Sequence, residues 1–321
     1  MASKIKVDTL ETANGSGSIT INNPINTAGI TSVTLGTGNF VAGATAGDSI
    51  VSGGNYNTLV GDNAGTAVTT GDQNTAVGSY SLVSNTTGNG NTAVGQASLY
   101  NNTTAANNAA LGLSALEANT TGTDNVAVGS QALKANTTGA NNVAVGFESL
   151  YTNTTGHENS AVGRQSLKLN TTGYNLTASG YAALRDNTTG INNVGVGTYA
   201  LTNNTTASNN TAVGYYALFT NTTGAQNVAV GATTLDANTT GENNVAINYG
   251  ALGANTTGSS NVAIGRDSLL FNTTASNNTA VGFESLKANT TGLNNTAVGR
   301  IALAANTTAS NNTAFGSSSL Y

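Results

Sequence analysis

A unit of 17 residues, approximately N-T-A-V-G-x-x-A-L-x-x-N-T-T-G-x-N, recurs from Asn57 to Tyr321 without an insertion or a deletion. Fifteen complete copies occupy residues 57–311, and a sixteenth begins at Asn312. A unit this short cannot bury its own apolar side chains, so consecutive copies must stack to share a continuous core. The repeat therefore predicts a rod. Positions 1 to 17 are numbered from Asn57 below, and each copy is one numbered coil.

Composition excludes several classes of protein. With 7% charged residues, six Phe, no Trp and 40 Gly, the 321 residues do not describe two ordinary globular domains. The net charge of -5 is low for a disordered chain, and aliphatic residues recur at fixed places. The nine Lys and Arg are scattered, so we expect no nucleic-acid partner. Neither a secretory signal nor an apolar run of membrane-spanning length is apparent, and we expect no membrane insertion.

Positions 2 to 5 of each copy predict a short strand that ends in a bend. They are Thr or Val, then Ala, then Val, and then Gly in most copies. The predicted fold is therefore all-β, a parallel β-solenoid or β-roll, and about 4.8 Å per coil makes the repeat block about 70 to 75 Å long. We assign positions 2, 3, 4, 5 and 9 to the buried interior. The predicted core includes Val77, Leu82, Val94, Leu99, Val128, Leu133, Val145 and Leu150.

Positions 1, 12, 15 and 17 form the predicted turns. Asn recurs at positions 1, 12 and 17, where its short amide can bond to nearby backbone and tolerate positive φ. Stacked copies would also align these amides into hydrogen-bonded ladders. Position 15 is Gly in most copies but Ala at Ala105, Ala207, Ala275 and Ala309, which indicates that this turn does not require positive φ.

The chain before the repeats has a different pattern. Apolar and polar residues alternate in short stretches separated by Gly, Asn and Pro24, which predicts a small β-rich attachment segment over residues 1–38. Residues 39–56 echo the repeat and are assigned as a transition, and residues 57–321 form the predicted shaft.

No set of residues predicts catalysis. His157 is the only histidine, and it occupies position 16, which is variable in sequence. Glu158 is the only carboxylate beside it, and no metal-ligand spacing, nucleophile elbow or phosphate-binding loop occurs. We therefore expect no enzyme activity, no cofactor and no metal site.

The variable positions carry the candidate contact residues. Charged residues fall mainly at positions 6, 7, 10, 11 and 16, which are therefore the predicted solvent-facing positions. Aromatic residues share these positions, and exposed aromatic stripes can bind sugars or proteins. The alternative is that they fill grooves between coils or between chains. The candidate surface-contact aromatics are Phe147, Tyr181, Tyr215, Tyr249, Phe283, Tyr80, Tyr199 and Tyr216.

Two groups of fibrous proteins contain similar repeats. Asn125-Val-Ala-Val-Gly129 and Asn261-Val-Ala-Ile-Gly265 resemble the head repeats of trimeric autotransporter adhesins of the YadA-like type, which are left-handed parallel β-rolls that associate as homotrimers. The longer A-L-x-x-N-T-T-G form resembles repeats of bacteriophage tail fibres. The opening Ser3-Lys-Ile-Lys-Val-Asp-Thr-Leu10 and Ile19-Thr-Ile-Asn-Asn-Pro24 are similar to the start of such fibre proteins.

This resemblance implies a homotrimeric fibre in a virion, as a phage tail fibre or appendage. Its N-terminus would contact other virion proteins, and its surface would contact a glycan or protein of the host. An alternative is a subunit of an extracellular bacterial filament or cell-surface adhesin. A third hypothesis is an ice-binding solenoid, because Thr recurs at positions 13 and 14. Adjacent residues of a strand face opposite ways, however, so only one of the two could join a flat Thr row.

Overall fold

A computed structural model describes the chain from residue 36 to residue 320. Most of the predicted attachment segment, residues 1–35 of 1–38, therefore lies outside the described residues, as does Tyr321. Within the described range the chain is all-β, with 17 strands of three residues each and no helix. Numbered β1 to β17 in chain order, the strands are Phe40–Ala42, Thr58–Val60, Thr75–Val77, Thr92–Val94, Ala109–Leu111, Val126–Val128, Val143–Val145, Ser160–Val162, Thr177–Ser179, Val194–Val196, Thr211–Val213, Val228–Val230, Val245–Ile247, Val262–Ile264, Thr279–Val281, Thr296–Val298 and Thr313–Phe315.

The strands form one parallel sheet in which each strand pairs with its neighbours in sequence. The pairing holds the repeat in register, so that Val126, Ala127 and Val128 lie opposite Val143, Ala144 and Val145. Each copy is thus one coil, and the predicted parallel β-solenoid is confirmed. Steps of about 4.8 Å between 17 strands give a sheet about 77 Å long.

The backbone outside the strands is also paired from coil to coil. In coil 5, Leu133 N donates to the Ser149 carbonyl at 2.9 Å, and Thr137 N donates to the Thr154 carbonyl at 2.9 Å. In the other direction, Gln131 N donates to the Leu113 carbonyl at 2.8 Å. Hydrogen bonds between coils therefore continue around the turns. This regularity favours a constant repeat length, since an extra residue would disturb the hydrogen bonds of the turn that contains it.

Six positions point inward in the coils before the last two: 1, 3, 8, 9, 12 and 15. In most coils the only large apolar residue among them is the leucine of position 9, and Leu82, Leu99, Leu133 and Leu150 are fully buried, as predicted. Burying one such side chain contributes about 1.5 to 3 kcal/mol. Ala at position 3 and Ala or Ser at position 8 leave the space that these leucines fill.

Asparagines at positions 1 and 12 form two buried ladders, as the sequence predicts. At position 1, Asn142 Nδ2 donates to Asn125 Oδ1 at 3.1 Å and to the Gly156 carbonyl at 2.9 Å. The Asn142 backbone N–H also donates to Asn125 Oδ1, at 3.0 Å. Within residues 36–320, every buried side-chain nitrogen and oxygen has a hydrogen-bond partner. Two of the six inward positions therefore carry amides, and the ladders satisfy them within the chain.

The predicted burial of positions 2 and 4 is wrong for the single chain. Val77, Val94 and Val128 are 36% to 37% exposed, and Val145 is half-buried. Side chains alternate along a strand, as expected, but the middle residue is the one that points inward. The leucine column takes up the interior, so only Ala fits at position 3, and positions 2 and 4 face outward. The glycine of position 5, also predicted to be buried, is partly exposed in coil 5 at Gly129.

Positive φ is concentrated at positions 5, 7, 9 and 17. Among the asparagines, only position 17 adopts it regularly, for example Asn141 at 58°, so the tolerance expected at positions 1 and 12 is not used. Position 9 is the unexpected case, because Leu133 has φ 53°. A left-handed leucine costs about 1 to 2 kcal/mol, which its burial offsets. The glycines of position 15, such as Gly122, have no positive φ, as the recurring alanines predict.

Residues 39–56, predicted as a transition, form a further coil of 18 residues. Phe40 pairs with Thr58 in the same register as the later coils, so the solenoid begins before Asn57. This coil and coil 1 share a different interior: Gly47 and Gly65 replace the leucine of position 9. Larger residues elsewhere fill the space, namely Val41 and Leu59 at position 3 and Ile50 and Val68 at position 12, all of them buried.

Candidate interaction surfaces

The outer face of the sheet is an apolar ridge formed by position 4. This position is Val, Ile, Leu or Phe in every copy except at Ser179. Leu111 is 40% exposed and Val162 is 42% exposed, although both belong to strands of the sheet. An apolar strip that runs the length of a rod is unusual on a monomeric protein and indicates a contact surface.

A second surface carries the aromatic candidates at positions 6, 7 and 10. Tyr181, Tyr199 and Tyr216 lie in successive coils, and their ring centroids are 5.1 Å and 4.9 Å apart. Tyr215 and Phe219 pack against Tyr216, with ring centroids at 4.5 Å and 4.6 Å. Hydrogen bonding with Tyr181 and desolvation raise the pKa of Tyr199. The five rings therefore form one cluster over coils 8 to 10.

The other aromatic candidates stand apart from this cluster. Phe147, Tyr249, Phe283 and Tyr80 are exposed, with 38% to 52% of their surface accessible. Tyr80 contacts only Tyr100 among the aromatic rings described, at 6.3 Å. The remaining isolated rings are stacked with arginines instead.

Arginine and aromatic residues alternate along position 6 in two stretches, from Phe147 to Tyr181 and from Tyr249 to Arg300. The Arg164 guanidinium lies 5.8 Å from the ring of Phe147 and 5.7 Å from that of Tyr181, one coil to either side. Arg266 is similarly placed on Tyr249 and Arg300 on Phe283, each at 5.8 Å. The aromatic residues could be identified from the sequence, but their pairing with arginines became apparent only when the coils placed position 6 in one column. Cation–π contacts at exposed sites contribute roughly 0.5 to 1 kcal/mol each.

Ion pairs also join successive coils on this surface. Glu148 lies 2.8 Å from Lys168 Nζ and accepts a hydrogen bond from Gln165 Nε2 at 2.9 Å. The hydrogen bond from Lys168, followed by that from Gln165, lowers the pKa of the Glu148 carboxyl. These groups are partly exposed, so they contribute more to the surface pattern than to stability.

A third surface is a file of threonines at position 14. All 15 copies that contain the position have Thr there, and all 15 are exposed. Position 13 behaves differently, because its hydroxyl donates to the next coil, as Thr137 Oγ1 does to the Thr154 carbonyl at 3.0 Å. Only one of the two adjacent threonines is thus presented to solvent, as the sequence predicts.

His157 stacks on Tyr174 in the next coil, with ring centroids 4.8 Å apart, and no carboxylate ion pair to it occurs within the described range. Residues 36–320 contain no group of three His, Cys, Asp or Glu side chains placed to hold a metal ion. The same range has no helix long and apolar enough to cross a membrane.

Comparison with known proteins finds no matching family model, no matching curated protein and no matching solved structure.

Proposed function

We propose that this chain is the stiff shaft of a homotrimeric fibre that reaches a host surface as part of a phage particle. The observation that carries the proposal is the apolar ridge of position 4, whose side chains from Val60 to Phe315 are exposed or half-buried in one chain. The virion setting rests on the resemblance of the repeats and of the opening segment to tail-fibre sequences.

Association of parallel copies would bury this ridge. Each strand is three residues long, so the sheet is only about 10 Å wide. Three such narrow faces can surround a common axis and enclose positions 2 and 4 of every coil. Because the coils of each chain repeat at the same spacing, a contact made once is made again at every step.

The aromatic and arginine surface would then face outward on each of the three chains. Single contacts there are weak, but three identical columns on one rod can engage several sites of a host surface together, and effective concentration converts weak contacts into avidity. Contact with a glycan or a protein of the host is the role that we assign to this surface.

Electron microscopy of native particles with a labelled antibody against this chain tests the proposal. We expect fibres of one fixed length attached to capsids or tails. Open-ended filaments that grow from bacterial cells would instead support the extracellular filament, and the virion proposal would then be abandoned.

The exposed threonines of position 14 favour a second candidate, an ice-binding solenoid. Fifteen side chains in one file could order water along the rod. The file is single, however, because the hydroxyls of position 13 are bonded to the next coil. Thermal hysteresis of the purified chain would support this candidate, and its absence would remove it.

A further inference from the structure

Coil 12 departs from the repeat at three positions within six residues. Asn248 is the only residue other than Gly at position 5 among the sixteen copies. Gly250 and Gly253 are the only glycines at positions 7 and 10, which elsewhere carry side chains such as Tyr, Glu or Lys. All coils have the same backbone structure, so the structure alone does not explain why three departures from the repeat occur in one coil.

These glycines open a notch of about 470 Å³ in the outer surface. Its walls come from coils 11 and 13 as well as coil 12, and include Asp236, Tyr249, Asp267 and Leu270. The volume is within the range of small-molecule sites, roughly 300 to 1,000 Å³. The notch is therefore large enough for one sugar ring.

The backbone does not require glycine at either position. Gly250 has φ 65°, but Tyr216 and Glu284 adopt 55° and 51° at the same position in other coils. Gly253 has no positive φ. A Cβ atom at Gly250 would lie 2.6 Å from Asp267 Oδ1, and one at Gly253 would lie 3.5 Å from Asp236 Oδ1. Side chains at positions 250 and 253 would therefore fill the notch next to the carboxylates of Asp267 and Asp236.

The walls combine negative charge with an aromatic ring. Asp267 is paired with Arg266 at 3.2 Å, whereas no Lys or Arg nitrogen of the described residues lies within ion-pair distance of Asp236. Burial raises the pKa of the Asp236 carboxyl, and hydrogen bonds from the backbone of Asp236 and Ala237 only partly oppose this. Tyr249 is 52% exposed and Leu270 is half-buried, so apolar surface lies beside a carboxylate that has no ion-pair partner among the described residues.

We propose that the coil 12 notch binds an amino sugar, whose protonated amine pairs with Asp236 and whose ring packs against Tyr249 and Leu270. A charge-assisted hydrogen bond to the carboxylate supplies the polar part of the recognition. The apolar wall selects a ring over a small ammonium ion. The inference deepens the proposed attachment role by naming a ligand class, and it rests on that role only for its biological setting.

Ligand-observed NMR titration of the full chain with glucosamine tests the assignment. At about pH 6.5 the amine is protonated and an aspartate is ionised. We expect a Kd on the order of 1 mM, because the notch is open and the ligand is small. Glucose, N-acetylglucosamine and ethanolamine each lack the charge or the ring, and we expect each to bind roughly tenfold more weakly. Absence of glucosamine binding, or equal binding of any of the three, would overturn the proposal.

Two variants locate the binding. Gly253→Tyr fills the notch with a residue that position 10 accepts at Tyr100 and Tyr151, and we expect it to abolish binding. Ala304→Tyr makes the same addition three coils away and should leave binding unchanged. Asp236→Asn preserves the shape of the notch and should weaken binding about tenfold. This variant still tests the site if Gly253→Tyr does not fold. Binding that survives both notch variants would contradict the site.

Failure of the notch proposal can be distinguished from failure of the fibre proposal. A trimeric chain that ignores glucosamine contradicts the notch alone. A chain that binds glucosamine as a monomer contradicts the trimeric shaft alone.

Discussion

Asn136 donates from Nδ2 to Oδ1 of Asn119, its counterpart one coil earlier, at 2.8 Å. The same nitrogen donates to the Gly139 carbonyl at 2.9 Å, and Asn136 Oδ1 accepts from Asn153 at 2.9 Å. Each buried amide is therefore held by both neighbouring coils. The ladder explains why position 12 is Asn in every copy after the first.

Replacing one rung should destabilise the solenoid. Asn136→Ala leaves Asn119 Oδ1 and Asn153 Nδ2 without their ladder partner, and we expect a loss of about 2 kcal/mol in the free energy of unfolding. Asn101→Ala is the control, because position 11 is exposed there and is Ala at Ala118. Urea unfolding followed by circular dichroism measures both. Equal effects would contradict the ladder's role.

In coil 1 the large residue is Leu59 at position 3 and the small one is Gly65 at position 9, the reverse of later coils. This exchange predicts that two substitutions compensate for each other. A Cβ at Gly65 would lie 2.7 Å from Leu59 Cδ2, so Gly65→Leu alone should overpack the interior and cost about 1 to 3 kcal/mol. Leu59→Ala alone leaves a cavity and should cost about 2 to 5 kcal/mol. The double variant recreates the pairing of Ala at position 3 with Leu at position 9 found in later coils, and it should recover most of both losses. Additive losses in a double-mutant cycle of unfolding free energies would refute this explanation.

Two glycines of neighbouring coils should respond differently to alanine. A Cβ at Gly129 would lie 2.7 Å from the Gly146 oxygen, and its φ is 130°. We expect Gly129→Ala to cost about 3 kcal/mol in unfolding free energy. Gly122→Ala places Cβ only 2.2 Å from the Gly139 oxygen, yet position 15 accepts Ala in four copies, and about 1 kcal/mol is expected.

The mild effect at position 15 has a visible basis. Beside Ala105, the Thr103 N to Thr120 O distance is 3.2 Å, against 2.9 Å for Thr137 N to Thr154 O beside a glycine. The backbone therefore yields there by a few tenths of an ångström. If Gly122→Ala proves the more damaging of the two in thermal unfolding, the φ argument fails.

Asp236 should reduce stability near neutral pH. Burial raises its folded pKa above the unfolded value of 3.8, so the folded state holds its proton more tightly, and stability falls as pH rises through these values. Asp236→Asn should thus raise the unfolding temperature at about pH 7, and the difference should shrink towards about pH 3, where both states are protonated. The exposed Glu242→Gln serves as control. If Asp236→Asn is less stable than the parent chain at neutral pH, the ionised Asp236 carboxylate does not destabilise the fold and this prediction is wrong.

Much of the fold could be predicted because the repeat is strict. Period, strand position, leucine column and amide ladders all follow from which residues recur. Burial of Val128 could not be assigned correctly, because a three-residue strand gives only the alternation and not which face is inside. Leu133 in a left-handed conformation was also beyond reach, because nothing in the leucine itself indicates positive φ.

The sequence predicts which residues lie on the outer surface, but not how they group together. The variable positions identified the aromatic residues, but their grouping depends on neighbours 17 or 18 residues away, as for Tyr181 and Tyr199. The notch was missed because glycine at Gly250 and Gly253 resembles ordinary turn chemistry in a chain with 40 glycines. Only the coil register shows that these positions normally carry side chains.

The trimeric shaft depends on the apolar ridge, which we expect two charged substitutions to disrupt. Val128→Lys together with Val162→Lys places two charges on the ridge and should leave a folded single chain, as judged by far-ultraviolet circular dichroism. Thr121→Lys together with Thr155→Lys adds the same charges at position 14 and should leave the assembly intact.

Light scattering of the purified full chain, coupled to size-exclusion chromatography, tests the central claim most directly. The trimeric shaft predicts a molar mass three times the 31.7 kDa of one chain, unchanged on dilution. A molar mass of one chain at every concentration would contradict it.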